Sequence, residues 1–201
     1  MATSKLTIFN AAADVLGEPN LRNVDEETEL ARKLRSAWEP TRDSCLEEAP
    51  WNFLETRATL ARLDETPEWG YQYYYGLPGD LVRILRVNDT GIERDELLTW
   101  REESGKLATD AEAVYLRYTS NKNKDKIGMW SQAFCDWLAA ELAVKAAPKI
   151  NPSMAETAMK LAERRRRKAR QIDASQSPPL KIRPGTVTSA PKRWRNVEND
   201  R

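Results

Sequence analysis

The side chains best placed for chemistry are cationic. Arg164, Arg165, Arg166, Arg167 and Lys168 are consecutive, and Arg170 follows. Such a run can neutralise nucleic-acid phosphates, each contact releasing a counterion. On the C-terminal half of a helix it can also oppose the helix dipole and simply face solvent. In an assembly it can meet the acidic surface of a neighbouring subunit. Three readings follow, in order of weight: protein or solvent contact, the lining of a passage for DNA, and sequence-independent DNA binding. No base-reading module accompanies the run.

Catalytic chemistry has little to work with. The chain contains no histidine, which removes the commonest general base and the commonest neutral metal ligand. Asp80, Asp110 and Asp136 are scattered without forming an acid/base pair. There is no glycine-rich phosphate loop and no nucleophile elbow. Cys45 and Cys135 lie far apart on expected helices. Two buried thiols are the favoured reading and a disulfide the alternative. A zinc site lacks both paired cysteines and histidine. The expectation is a protein that is not an enzyme, with no catalytic residues, no metal and no cofactor.

An aromatic group offers recognition rather than catalysis. Pro50-Trp51-Asn52-Phe53 is followed by Trp69, by Tyr71 to Tyr75, and by Leu77-Pro78-Gly79-Asp80-Leu81. Tyr71, Tyr73 and Tyr75 alternate, which places them on one face of a strand. They could form a base-stacking platform. Gln72 and the scarcity of adjacent cations favour core and interface packing. Pro50, Trp51, Phe53, Tyr75, Leu77, Pro78 and Asp80 are read as one rigid junction between helical and strand-like patterning.

Composition bounds the possibilities. The 201 residues are 31% charged and 40% hydrophobic, enough for one compact domain with an extension. No apolar stretch is long enough to span a bilayer, and Met1 to Lys5 does not open a secretory signal. The net charge of +1 conceals an asymmetry. Residues 1–159 hold 19 Lys/Arg against 27 Asp/Glu, a net of −8, and residues 160–195 hold 12 against 2, a net of +10. An acidic body with a basic end suits contact between copies or with an acidic partner.

The elements that must position these residues follow from hydrophobic period. Leu6, Phe9, Ala12, Ala13 and Leu16 predict a helix over 4–16, ended by Gly17. Asp25 is the expected N-cap of a second helix carrying Leu30, Ala31, Leu34, Ala37 and Trp38. Pro40 would kink that helix or start another, and Cys45, Leu46 and Ala49 continue the face. Together 4–49 predict a helical hairpin. Period two then takes over from Thr56 to Thr119, with a hairpin turn at Glu103-Ser104-Gly105. The prediction is one small antiparallel sheet of four to six strands. Helix returns near Met129 with a stripe of Trp130, Ala133, Phe134, Trp137, Leu138 and Leu142, ended by Pro148. A last helix from Asn151-Pro152-Ser153 runs to about 173, packed antiparallel on the one before. The class is thus α+β. One folded domain spans 1–173, with helices over 4–49 and 129–173 and a β-rich insertion at about 55–119. The basic segment 174–201 holds too few apolar residues to fold alone, yet contains Lys192-Arg193-Trp194-Arg195.

In their order, these motifs resemble the head-to-tail adaptor family of short-tailed bacteriophages, the tail tubular protein A family. The resemblance is carried by Leu16-Gly17-Glu18, Pro50-Trp51-Asn52-Phe53-Leu54 and Thr56-Arg57-Ala58-Thr59-Leu60. It continues through Tyr75 with Leu77-Pro78-Gly79-Asp80, Arg83 and Val87, then Leu107-Ala108-Thr109-Asp110 with Tyr115 to Tyr118. It closes with Trp130, Phe134 and Leu138-Ala139-Ala140-Glu141-Leu142-Ala143. It covers about residues 5–173. Leu54 departs from the family's small residue, and so does the long basic tail. The resemblance implies a virion neck protein made in the host bacterial cytoplasm. It would form a homo-oligomeric ring of twelve subunits between the portal protein and the tail nozzle or tail tubular protein. Double-stranded DNA would pass along its axis without sequence specificity, and no membrane would be involved. It also implies portal contact through the tail, at Lys181, Arg183, Lys192, Arg193, Trp194 and Arg195. The competing expectation is a DNA-binding or packaging accessory protein that uses the arginine run.

Overall fold

A computed structural model describes residues 3–92 and 98–176. Among these residues the chain is α+β, with a four-helix body and two small antiparallel sheets. Helix α1 spans Lys5–Leu16, capped by the Ser4 hydroxyl accepting from the Thr7 amide and closed by Gly17 at φ 71°. That left-handed closure suits glycine, which has no Cβ to clash.

Helix α2 spans Glu29–Glu47. Its N-cap is Thr28, whose hydroxyl accepts from the Ala31 amide at 3.2 Å, and not Asp25. The residues before it are held outside the helix. Arg35 donates to the carbonyls of Val24 and Glu26 at 2.8 and 2.9 Å, and the Asp25 amide is taken by Asn23. The helix also runs unbroken through Pro40. Proline costs about 3 kcal/mol in a helix interior. Trp38, Thr41, Arg42, Cys45 and Leu46 are buried on both sides of it, and that packing holds the helix together across the missing hydrogen bond.

Helix α3 (Gln132–Ile150) is the axis of the body. Phe134, Leu138, Ala139, Ala140, Leu142, Ala143, Ala146 and Ala147 are all fully buried. A helix apolar on nearly every side belongs inside a bundle rather than on its surface, so the single expected stripe is too narrow a description. Pro148 lies within its last turn instead of ending it. Helices α1 and α2 pack mainly on α3 and touch each other little, which replaces the expected hairpin with two helices docked on a third. Helix α4 (Ala155–Gln176) packs along α3 most extensively. Between them Asn151 donates to the Leu16 carbonyl at 2.9 Å, tying the turn to the end of α1.

The β region differs most from expectation. Six strands form two sheets rather than one. β1 (Glu55–Thr59), β6 (Tyr115–Ser120) and β3 (Leu81–Asn88) form one in the order β1-β6-β3, and β2 (Tyr73–Gly76), β5 (Lys106–Thr109) and β4 (Trp100–Glu103) form the other in the order β2-β5-β4. Their inner faces share a separate core of Leu60, Tyr75, Val87, Leu107, Val114, Leu116 and Tyr118. β3 carries two register shifts against β6, which bend and twist a strand locally. The β4–β5 hairpin turns on Ser104 and Gly105, both at positive φ, as its two-residue loop requires.

Trp51 is the largest fully buried side chain. Its indole N–H donates to the Cys45 carbonyl at 2.9 Å, and its ring contacts Phe53, Phe134 and Trp137. Replacing Trp51→Ala is expected to lower unfolding free energy by about 3–5 kcal/mol. Urea denaturation checks this. A loss under about 1 kcal/mol would mean the ring does not fill the helical core.

Candidate functional site

The expected aromatic junction separates into two cores. Pro50, Trp51 and Phe53 belong to the helical body, where Trp51 and Phe53 stack at 5.9 Å. Tyr75 and Leu77 belong to the β core. Tyr75 is buried and its hydroxyl donates to the Ala111 carbonyl at 2.7 Å. The tyrosines therefore do not act as one platform. Tyr71 precedes the strand and Tyr74 points to the other face. Cations do reach these rings, brought from elsewhere in the chain. The Arg62 guanidinium lies 3.7 Å from the Tyr73 centroid and the Lys106 ammonium 5.2 Å from that of Tyr74.

What joins the body to the β layer is polar. The chain leaves the body at Asn52, whose amide donates to both carboxylate oxygens of Asp173 at 3.2 and 3.3 Å. The Asn52 side chain donates to the Asp173 carbonyl at 2.6 Å. Asp173 sits on the last turns of α4 and is only 8% exposed. Nearby, Arg83 of β3 donates to the Glu47 carbonyl at the end of α2, at 3.0 Å. The chain returns past Ser120. There Asp80 accepts from the Ser120 and Tyr118 hydroxyls, and its carbonyl accepts from the Asn121 amide at 2.9 Å. Arg42, buried on α2, pairs with Asp43 at 2.8 Å and reaches Asp125 beyond β6. Asp80 thus serves the returning crossing, while the Pro78 carbonyl accepts from the Leu81 amide within its own turn and Pro50 is exposed just before Trp51. Sequence reading named Asp80, and met Asn52 and Arg83 only as members of motifs; it gave no sign of Asp173 or Arg42, because each acts on a partner far along the chain.

The two carboxylates titrate in opposite senses. Hydrogen bonding from Ser120 holds the Asp80 carboxyl below its ordinary value. Burial pushes the Asp173 carboxyl up, against the Asn52 amide. Burial also raises both free thiols, Cys45 strongly and Cys135 to about 12. These thiols stay protonated at neutral pH and are poor nucleophiles.

The basic run divides by role. Arg165 donates to the Asp136 carbonyl at 3.0 Å, locking α4 to the start of α3. Arg166 and Arg170 each stand 3.5 Å from Glu48 just past α2. Arg167 pairs with Glu163 one turn back on its own helix, at 2.7 Å. Arg164, Arg167, Lys168 and Arg170 are exposed. Arg165 and Arg166 therefore face the body, and an outward strip remains for partners. The residues expected to meet a portal, Lys181, Arg183, Lys192, Arg193, Trp194 and Arg195, lie outside the described residues.

A second cationic feature emerges only from strand register. Arg57 on β1 opposes Arg117 on β6, which opposes Arg86 on β3. Like charges directly opposite repel. The Glu55 carboxylate stands 3.8 Å from Arg117, and all three arginines make further contacts. The row lines a groove of about 190 Å³ with Asn88 and Tyr115. Each arginine sits in an ordinary alternating strand, so no local pattern announces the row.

Neither a protein-family model nor a curated protein matches this chain. Among the described residues no helix is long and apolar enough to cross a membrane.

Two outcomes are expected at the crossings. Asp173→Ala leaves the Asn52 amide without its acceptor and should cost about 1–3 kcal/mol in urea unfolding. No loss would remove the clamp from the account. The pH dependence follows from sign. The lowered Asp80 value stabilises the fold above the unfolded pKa, and this is lost as pH falls through the folded value. The raised Asp173 value does the reverse, a penalty at neutral pH that is relieved as pH falls through its folded value. Carboxyl-detected NMR should find Asp173 titrating above Asp80, and Ser120→Ala should move Asp80 upward. The opposite order would refute the assignment.

Proposed function

We propose that this chain is a structural neck component of a short-tailed bacteriophage virion. Identical copies close a ring between portal and tail nozzle, with DNA passing along the axis. The carrying observation is the division of labour on α4. Arg165 and Arg166 face α3 and the end of α2, while Arg164, Arg167, Lys168 and Arg170 are exposed, Arg170 also standing beside Glu48. A strip of cations on a braced helix suits the wall of a passage for a polyanion. It attracts phosphates without reading bases and holds its shape as the duplex moves. The order of motifs along the chain supports the same reading, and so does the α+β architecture, a helical body with a β layer inserted between its second and third helices. Nothing in this role requires a catalytic residue, a metal or a cofactor.

The outward strip also favours a second reading, a free-standing DNA-binding or packaging accessory. Salt dependence separates the two. An independent binder should hold duplex DNA alone, with log affinity falling steeply against log salt. On the proposed reading the isolated chain holds duplex only weakly, and mixing it with the portal ring of its own virus gives a stacked second ring by electron microscopy. Arg164→Glu combined with Lys168→Glu should leave that ring intact and slow DNA release from assembled particles. Absence of any portal attachment, together with tight salt-sensitive duplex binding, would establish the accessory reading instead.

A further inference from the structure

The loop between β1 and β2 carries Trp69, at 84% the most exposed large hydrophobic residue among those described. It borders a groove of about 320 Å³ on the outer face of the β2-β5-β4 sheet. Tyr71 and Tyr74 supply two more rings, and Glu65, Glu68 and Glu103 supply carboxylates. Arg101 is the one cation among the described residues of the lining. This face already engages a cation, since Lys106 sits over the Tyr74 ring and pairs with Glu65. An exposed indole among carboxylates is unusual on an otherwise polar surface. Its chemistry suits a ligand that is both aromatic and cationic, with guanidinium groups over rings and against carboxylates.

We infer that this groove receives the Lys192-Arg193-Trp194-Arg195 segment of the same chain. Charge complementarity points to it. Residues 177–201 hold Lys181, Arg183, Lys192, Arg193, Arg195 and Arg201 against Glu198 and Asp200. Trp194 is the one aromatic residue there, and the groove offers Trp69 as its counterpart. Length permits the contact. From Gln176, where α4 ends, an extended chain reaches Trp194 across roughly 60 Å. Tethering also favours the chain's own tail over that of a second copy. A tether of this length presents its end at an effective concentration near millimolar, far above the concentration of other copies in dilute solution. The docked segment covers Trp69 and adds a cation beside Glu68, since Glu65 already pairs with Lys106 and Glu103 accepts from the Tyr74 hydroxyl at 3.0 Å. It also occupies the tail's aromatic anchor, so an acidic partner surface must compete for it. This inference concerns the free chain and does not depend on the ring reading.

Limited trypsin digestion of the full-length protein tests it, with sites read by mass spectrometry. Cleavage after Lys192, Arg193 and Arg195 is compared with cleavage after Lys181 in the same tail. Docking slows the first set relative to the second, equally at low and high protein concentration. Trp69→Ala should raise the ratio roughly two- to fivefold, the scale of one exposed cation–π contact. Glu68→Lys should do the same, as should added salt. Both side chains are exposed, so the fold should survive either change, and circular dichroism verifies it. A ratio unmoved by both variants overturns the inference. Protection that grows with protein concentration also overturns it, by assigning the groove to the tail of a second copy.

Discussion

A chain that passes twice between two separate hydrophobic cores must satisfy its backbone at each passage, where neither a helix ladder nor a sheet ladder is available. In this molecule the outward passage falls at Trp51 to Leu54 and the return at Ser120 to Ser131. Each is closed by charged or polar side chains from elements remote in sequence. Asp173, near the end of α4, accepts from the Asn52 amide, and Asp80 gathers Ser120, Tyr118 and the Asn121 amide. Arg83 and Arg42 reach from β3 and α2 to the same seams. An acceptor removed from such a place leaves a desolvated donor, and that penalty exceeds what the hydrogen bond contributes on average. The relative placement of body and β layer therefore depends on a few polar groups, while the aromatic mass lies within each core.

The two cores are built on different terms. Around α3, alanines allow close helix approach and the rings of Phe9, Trp38, Trp51, Phe134 and Trp137 fill the remaining space. The β core is smaller, drawn from both sheets, and owes its closure to the buried Tyr75 and Tyr118, whose hydroxyls find acceptors at the rim. The basic run belongs to the first core as much as to the surface. Arg165 is spent on the Asp136 carbonyl, Arg166 and Arg170 share Glu48, and Arg164, Arg167, Lys168 and Arg170 are exposed to a polyanion. Counting charges along the sequence overstates the cationic surface.

Periodicity and caps made much of the fold readable. Leu6 to Leu16 with Gly17, the alternation Val114-Leu116-Tyr118, and the turn at Ser104-Gly105 are local signals, and each element stands where they place it. The misreadings were non-local. Asp25 has the chemistry of a cap, but Arg35 holds the preceding carbonyls and leaves Thr28 to do it. Pro40 is a breaker whose cost is met by packing on either side. Two sheets rather than one, α1 and α2 docking on α3, the clamp at Asp173 and the Arg57–Arg117–Arg86 row all depend on which segments meet, which hydrophobic pattern does not encode. The expected single aromatic junction failed for the same reason. Trp51 and Tyr75 belong to different cores.

With both crossings closed by polar contacts, the helical body and the β layer must move as one. Backbone ¹⁵N relaxation on the isolated protein measures this directly. The account predicts that α1–α4 and β1–β6 fit a single rotational diffusion tensor. Separate tensors, with the β layer tumbling faster than the helical body, would contradict it.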